Sequence, residues 1–322
     1  MNNRPDSSAN NPAASTALSY AGIIFVIIIW GFYPLLTADL LEHYSGGVFN
    51  LFGAAVSAVA LTLICIPKLR LLDKSYFRVA VPTGLSVAVG NLLQKIGLQY
   101  TTPTYFAFLE NLSCVAVPLL LFLFIKRKPG FLTLSAGAIC LGACFILSGA
   151  GAGDFSFGKG EILCALAGIT YGFNIAATGA FAKKLNALLY VMIQMWVNTA
   201  ASAVTVLALD RITVGGEPLE RAVFSPDWRH LAAAAAVVLG ISTFGWLIRT
   251  ESQKRVNASV VAVMMPFSSL VTGVASIIAG SDVFSPRLAI GGALIILSSV
   301  LSGIGDSADE ARAARKEQEK ME

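Results

Sequence analysis

From Ala17 to Gly305 the chain is a succession of apolar stretches, each about twenty residues long, separated by short polar breaks. A stretch of that length crosses the ~30 Å hydrocarbon core of a bilayer as an α-helix rising 1.5 Å per residue. Ten such spans are predicted, over residues 18–38, 46–66, 79–99, 103–125, 131–149, 160–181, 187–208, 230–250, 257–279 and 287–305. Within them apolar and polar residues do not alternate with period two, and backbone groups in lipid must be satisfied inside the segment. Helices follow, and an outer-membrane barrel is excluded. The fold expected is an all-α integral membrane protein of ten transmembrane helices. Residues 1–16 are rich in Asn, Ser and Pro and hold one basic residue, Arg4. They lack the pattern of a secretory signal and read as a disordered tail. Residues 306–322 are charged and helix-prone, and are expected to form a solvated end helix.

Composition excludes the soluble classes. Of 322 residues 56% are hydrophobic and 13% charged, against about 25% charged in an ordinary soluble domain. The net charge of +4 is no footprint for nucleic acid, because the basic residues sit at span ends and form no continuous face. Their placement reports topology. With the N-terminus inside, Arg4, Lys68, Arg70, Lys74, Arg78, Lys126, Arg127, Lys128, Lys183, Lys184, Arg249, Lys254, Arg255, Arg312, Arg315, Lys316 and Lys320 fall on the inner side. Lys95, Lys159, Arg211, Arg221, Arg229 and Arg287 fall at or near the other. Cytoplasmic loops hold the excess of Lys and Arg, so both termini are expected to be cytoplasmic, in a bacterial plasma (inner) membrane.

The chain repeats itself. A shift of 154 residues lays the third to fifth spans on the eighth to tenth without a gap, bringing Lys95 onto Arg249, Gln99 onto Gln253, Gly137 onto Gly291 and Leu147-Ser148-Gly149 onto Leu301-Ser302-Gly303. A shift of 141 lays the first span on the sixth, with Trp30-Gly31-Phe32 over Tyr171-Gly172-Phe173. A unit of five helices crosses an odd number of times, so its second copy enters from the opposite face and the halves are inverted. The domains expected are the tail 1–16, repeats at 17–149 and 150–305, and the tail 306–322. In transporters of this build the solute site lies near the midplane between the halves.

The segments IGLQYTTPTYFAFLENLSCVAVPLLLFLF in the first half, and SQKRVNASVVAVMMPFSSLVTGVASIIAGSDVF with LAIGGALIILSSVL in the second, resemble the drug/metabolite transporter superfamily, in its ten-helix group with two EamA-type halves. The resemblance covers roughly residues 18–305. It implies export or exchange of amino acids, metabolites or related solutes through a cavity formed mainly by helices other than the fifth and tenth. Members commonly carry a Pro in the fourth and ninth helices followed by Gly-Glu at the helix end. Here Pro266 keeps the second Pro and Leu112 replaces the first, while Lys126-Arg127 and Gly280-Ser281 stand where Gly-Glu is expected. The family's four-helix relatives couple to protons through a first-helix Glu, which this chain lacks.

Among the acidic residues only Glu110 lies deep in a span, and an ionisable group there is a functional candidate by default. Lys95, six residues before the turn near Thr101, differs from Glu110 in depth by only ~4–5 Å on straight helices. The two are candidates for an ion pair, either structural or engaged in solute or proton binding. Amides cluster at similar depth, with Asn91, Gln94, Asn111, Asn174, Gln194 and Asn198, and buried amides must face protein or a wet cavity. For each, a bond between helices is the first reading. Trp30, Tyr33, Tyr105, Phe108, Tyr171 and Trp246 are candidate lining aromatics, of which the repeat pairs Trp30 with Tyr171. The substrate-binding set expected is Trp30, Tyr33, Asn91, Glu110, Asn111, Tyr171 and Asn174.

Cys65, Cys114, Cys140, Cys144 and Cys164 all fall in apolar spans, and the only histidines are His43 and His230. No zinc, haem, disulfide framework or other cofactor is expected, and Cys140 with Cys144 reads as helix packing. The partners expected are a small-molecule solute and membrane lipid, with protons as a coupling ion, a homodimer left open, and no nucleic acid. The competing reading is an integral-membrane enzyme or lipid-handling protein. It needs a polar constellation near a leaflet surface, and none is visible, so a non-enzymatic transporter is expected.

The charge bias makes a testable topology. Cysteines placed at Ser156 or Gly215 are expected to react with an impermeant thiol reagent from outside intact cells, and cysteines at Lys126 or Lys183 to be spared. The reverse pattern overturns the orientation.

Overall fold

The computed structural model describes residues 12–97, 100, 109–126, 128–148, 158–209, 211, 213–214, 217–218, 222–280 and 284–319. Helices dominate them. In chain order they are α1 (Pro12–Ala38), the short α2 (Leu40–His43), α3 (Gly46–Cys65), α4 (Lys74–Gly97), α5 (Ser113–Ile125), α6 (Phe131–Ser148), α7 (Lys159–Phe181) and α8 (Ala187–Leu209). There follow α9 (Trp228–Val237), a π-helical stretch Val238–Thr243, α10 (Phe244–Ser252), α11 (Ala258–Met264), α12 (Phe267–Ile278) and α13 (Pro286–Gln318). A two-residue antiparallel pair, Thr213–Val214 with Glu217–Pro218, lies between α8 and α9. Side-chain caps start several helices, as Asn186, Asp227 and Asn257 accept from backbone N–H groups two residues on.

Seven helices among the described residues are long and apolar enough to cross a membrane, and the fourth and fifth expected spans appear as the shorter apolar helices Ser113–Ile125 and Phe131–Leu147. The third expected span is α4. Two termini differ from expectation. The first helix begins at Pro12, inside the segment expected as a tail, while residues 1–11 lie outside the described ones. The last helix runs unbroken from Pro286 to Gln318, so the charged tail continues the last span as one helix; its first polar turns bond to the protein, while the described residues beyond, Ala311, Arg312 and Glu319, are exposed as expected. Asp309 accepts from the Gly130 N–H and the Thr133 hydroxyl, and Asp306 from the Asn257 amide.

The repeat is visible in backbone detail. Helical bonding lapses at Asn111–Leu112 and again at Met265–Pro266, which the 154-residue shift superposes. The same bonds bridge both breaks: Cys114 N–H to Asn111 O and Val115 N–H to Leu112 O in one, Ser268 N–H to Met265 O and Ser269 N–H to Pro266 O in the other. Pro266 has no N–H to donate and forces its break. Leu112 carries no such constraint, yet its break persists. The shift also relates the two positive φ angles, 56° at Lys126 and 73° at Gly280, each just past the end of a half-helix. Glycine adopts this left-handed capping geometry freely, whereas lysine takes it against its Cβ.

Packing follows the same two-fold logic. Among the principal contacts, α4 packs on α7 and α8, α5 on α7, α1 on α10 and α12, α3 on α8, α6 on α13, and α11 on α5, α7 and α13. Exchanging the first span for the sixth, the second for the seventh and so on converts third-on-sixth into eighth-on-first and fourth-on-sixth into ninth-on-first. Second-on-seventh, fourth-on-ninth and fifth-on-tenth map onto themselves. One buried cluster gathers Ile23, Ile27, Val117, Leu121, Ile175 and Val261 from the first, fourth, sixth and ninth spans. Where helices approach most closely the contact residue is glycine: a Cβ on Gly168 would stand 2.5 Å from Leu109 O, and one on Gly137 2.9 Å from Cys114 O. The outer faces expose Ile24, Leu63, Leu207, Ile278, Ile296 and Val300, as suits a surface bathed in lipid rather than water.

The unequal caps make a stability prediction. Lys126→Gly is expected to raise stability by about 1 kcal/mol by relieving the left-handed lysine, and Gly280→Ala to lower it by a similar amount. Thermal unfolding of the two variants in detergent checks both signs.

Candidate functional site

A cavity of about 430 Å³ opens among the helices, walled by residues of both halves. Its lining comes from the first to fourth and the sixth to ninth spans, and no described residue of α6 or α13 reaches it. Trp30, Tyr33, Asn91, Glu110, Asn111, Tyr171 and Asn174 all lie on its wall, with Gln94, Asn198 and Trp246. The Lys95 side chain, Tyr105 and Phe108 lie outside the described residues, so the Lys95–Glu110 pair has no described geometry. For Glu110 itself, no hydrogen-bond or ion-pair partner is found among the described residues.

Trp30 and Tyr171, paired by the repeat, are seated in parallel ways. Tyr171 lies over Gly90, where an added Cβ would come within 2.8 Å of the ring, and its hydroxyl reaches Asn91 Oδ1 at 2.7 Å and Gln94 Oε1 at 2.9 Å. A phenol has one proton, so it donates to one amide at a time. Trp30 lies over Gly245, where a Cβ would come within 2.5 Å of the indole nitrogen, and that N–H donates to Ile241 O at 3.3 Å, inside the π-helical stretch. Asn50, on α3, continues the polar wall by donating to Ser202 Oγ at 2.9 Å. Asn91, Gln94 and Asn174 thus bond between helices while also facing the cavity.

Arg249 is the main correction to the sequence reading. Its place near the end of the eighth span put it among the cytoplasmic charges, but the structure buries it to 4% exposure on the cavity wall. Its Nη2 donates to Asn174 Oδ1 at 2.6 Å, while its Nε is buried without a partner. The guanidinium carbon stands 4.0 Å from the Trp246 ring centroid and 5.8 Å from that of Trp30. A second layer fixes these groups. Gln194 accepts from the Trp246 indole at 3.0 Å and donates to Thr83 Oγ1 at 2.8 Å and the Tyr190 hydroxyl at 3.0 Å. Asn174 donates to Thr83 O at 3.0 Å. The signal that reveals Arg249 is present in the repeat, because the shift lays it on Lys95, itself a cation inside a span.

Other charged and soft groups lie apart. Glu161, near the start of the sixth span, is turned back on its own helix start, accepting from Gly158 N–H at 2.9 Å. Cys114, Cys140 and Cys144 share one small buried cluster with Val263, where they fill space between α5, α6 and α11. Among the described residues no group of three His, Cys, Asp or Glu side chains is placed to hold a metal ion.

Comparison with known proteins gives the family. No curated protein matches the chain. Among 29 matching chains of known structure, one crystal structure superposes with a TM-score of 0.68 at 15% identity, over 91% of this chain and 97% of its own, a likeness of fold alone. The sequence matches the family described as "EamA-like transporter family" twice, over residues 17–149 and 158–304. With both matches together spanning nearly the whole molecule, this chain belongs to the EamA-like transporter family and carries its unit in two copies.

Proposed function

We propose that this chain is a secondary transporter carrying a small polar metabolite, an amino acid or related solute, across a bacterial plasma membrane by export or exchange. Ten crossings form two inverted repeats, residues 17–149 and 150–305, with both termini in the cytoplasm. The observation that carries the reading is a single polar cavity walled by both copies of the repeat, whose fourth and ninth spans break at equivalent points on its wall. Its volume falls within the ~300–1,000 Å³ of small-molecule sites. A wall shared by two rigid halves opens to one face or the other when the halves rock, and the breaks at Asn111–Leu112 and Met265–Pro266 give each half a place to bend.

The solute is held by Trp30, Tyr33, Asn91, Glu110, Asn111, Tyr171 and Asn174. Glu110 is the coupling group, with Lys95 as its counter-ion. A carboxyl in that position either carries a proton through the cycle or holds the solute's own positive charge.

The test is transport by the purified protein in proteoliposomes, screened with small metabolites with and without a pH gradient. Alanine at Asn91, Tyr171 or Asn174 is expected to lower transport by roughly 5- to 150-fold, the equivalent of one lost buried hydrogen bond at about 1–3 kcal/mol, with folding retained. Glu110→Gln is expected to abolish gradient-driven accumulation and keep solute exchange, since exchange needs binding and rocking but no net proton movement. Loss of stability in all these variants without a specific transport defect makes the residues core and removes the cavity from function.

A further inference from the structure

We propose that Arg249 anchors an anion subsite in this cavity and that the solute is an organic carboxylate, its acidic group seated on the guanidinium beside the indole of Trp246. The inference rests on the transporter reading and goes beyond it in naming the chemistry of the cargo.

A guanidinium is not deprotonated in proteins, so Arg249 brings a permanent positive charge to a wall that is 4% exposed. An ion withdrawn from water costs several kcal/mol unless an opposite charge and hydrogen bonds replace the water. Here the replacement is partial. One amide oxygen, Asn174 Oδ1, accepts from Nη2, the buried Nε has no partner, and no described carboxylate lies within ion-pair distance of the side chain. Indole faces at 4.0 and 5.8 Å attract the cation without neutralising it. They supply no second acceptor, and a carboxylate matches a guanidinium with two parallel bonds as no ammonium does.

Two further observations narrow the anion. The helices α5 and α12 both start at the cavity wall, at Ser113 and around Ser268, so their positive ends add to the field there. Among the described residues of the lining Glu110 is the one acid and Arg249 the one cation, so the wall carries both signs of charge. A site with one cation and one carboxylate suits a singly charged carboxylate and repels a phosphate dianion. It also gives the solute a direction, acid toward Arg249 and any amine toward Glu110.

The experiment uses the full chain in lipid nanodiscs and reads the fluorescence of Trp30 and Trp246 in a variant whose Trp196 and Trp228 are Phe. The probes are matched acids and amides: butyrate and butyramide, phenylacetate and phenylacetamide, 2-aminobutyrate and its amide, with inorganic phosphate as control. Acids are expected to give a saturable change at concentrations at least about tenfold lower than their amides or phosphate, the value of one charge-assisted bond pair. Arg249→Gln is expected to erase the preference, and Arg249→Lys, which keeps charge but not the fork, to retain a weakened one. No response to any acid up to about 100 mM, a level weaker than ordinary transporter affinities, overturns the proposal, as does an equal response to acids and amides. So does an unchanged acid preference in folded Arg249→Gln. If neither Arg249 variant folds, the acid-against-amide comparison on the otherwise unmodified protein decides. Counterflow of the same probes separates the two readings. Acid binding without any counterflow sinks the transporter and leaves the subsite, whereas counterflow indifferent to the acidic group leaves the transporter and sinks the subsite.

Discussion

In a bundle wrapped by lipid, a polar group that finds no partner within the protein has none at all, and the fold is arranged around that constraint. The polar layer runs from Asn50 and Ser202 through Asn91, Tyr171 and Asn174 to Arg249, then behind the wall through Thr83, Tyr190 and Gln194. Each member is held by another helix, so the network fixes rotation and depth of the second, third, sixth, seventh and eighth spans together. Apolar side chains against lipid supply little of that specificity, since lipid tails are as apolar as leucine. Close approaches at Gly90, Gly168 and Gly245 let the polar side chains meet at all, by removing the Cβ atoms that would hold the helices apart.

Helix positions were legible in the sequence to within a few residues, because bilayer thickness imposes one length on every span. The repeat was legible too, and it carried more than architecture. The shift that lays Leu112 on Pro266 relates two helix breaks, one of which no local residue announces, and the shift that pairs Trp30 with Tyr171 relates two aromatics that the structure seats alike over glycine. The π-helical stretch at Val238–Thr243 had no such signal, as neither proline nor a charge marks it. Asn50, near the start of the second span, has no pattern in the sequence that sets it apart from an interfacial polar residue. Arg249 was miscounted for the same reason, as the rule that assigns cations to cytoplasmic loops works on position along the chain and is blind to which way a helix face points.

The two halves keep one backbone and have diverged in chemistry. Equivalent helix breaks are made by Pro266 in one copy and by Leu112 in the other, and equivalent left-handed caps by Gly280 and Lys126. Tolerance of the less suitable residue in the first half means that surrounding packing over-determines the backbone there, with Gly168 and Gly172 of α7 closing directly onto the chain around Leu109–Ser113. Side chains on the cavity wall are under no such pressure to match. Glu110 faces Met264 in the repeat register and Arg249 faces Lys95, so the cavity is electrically asymmetric although its walls are related by a pseudo-two-fold. In the proposed transport cycle, an asymmetric field in a repeated frame would let a bound solute be presented to either side while its own orientation stays fixed.

In the proposed transport cycle, the fifth and tenth spans would hold the frame together while the halves rock. They pack on each other and contribute nothing described to the cavity, so their contact need not change when the wall does. Beyond its apolar part α13 continues to Gln318, and its carboxylates tie down two loops at once: Asp309 the segment before α6, through Gly130 and Thr133, and Asp306 the start of α11, through Asn257. Asn257 is itself the cap of α11, accepting from Ser259 N–H at 3.0 Å. The segments after the fourth and before the ninth spans are therefore bound to one rigid rod at one end of the bundle. With that end pinned, the breaks at Asn111–Leu112 and Met265–Pro266 are where each of these two spans would change direction in the proposed cycle, on the side of the break away from the rod.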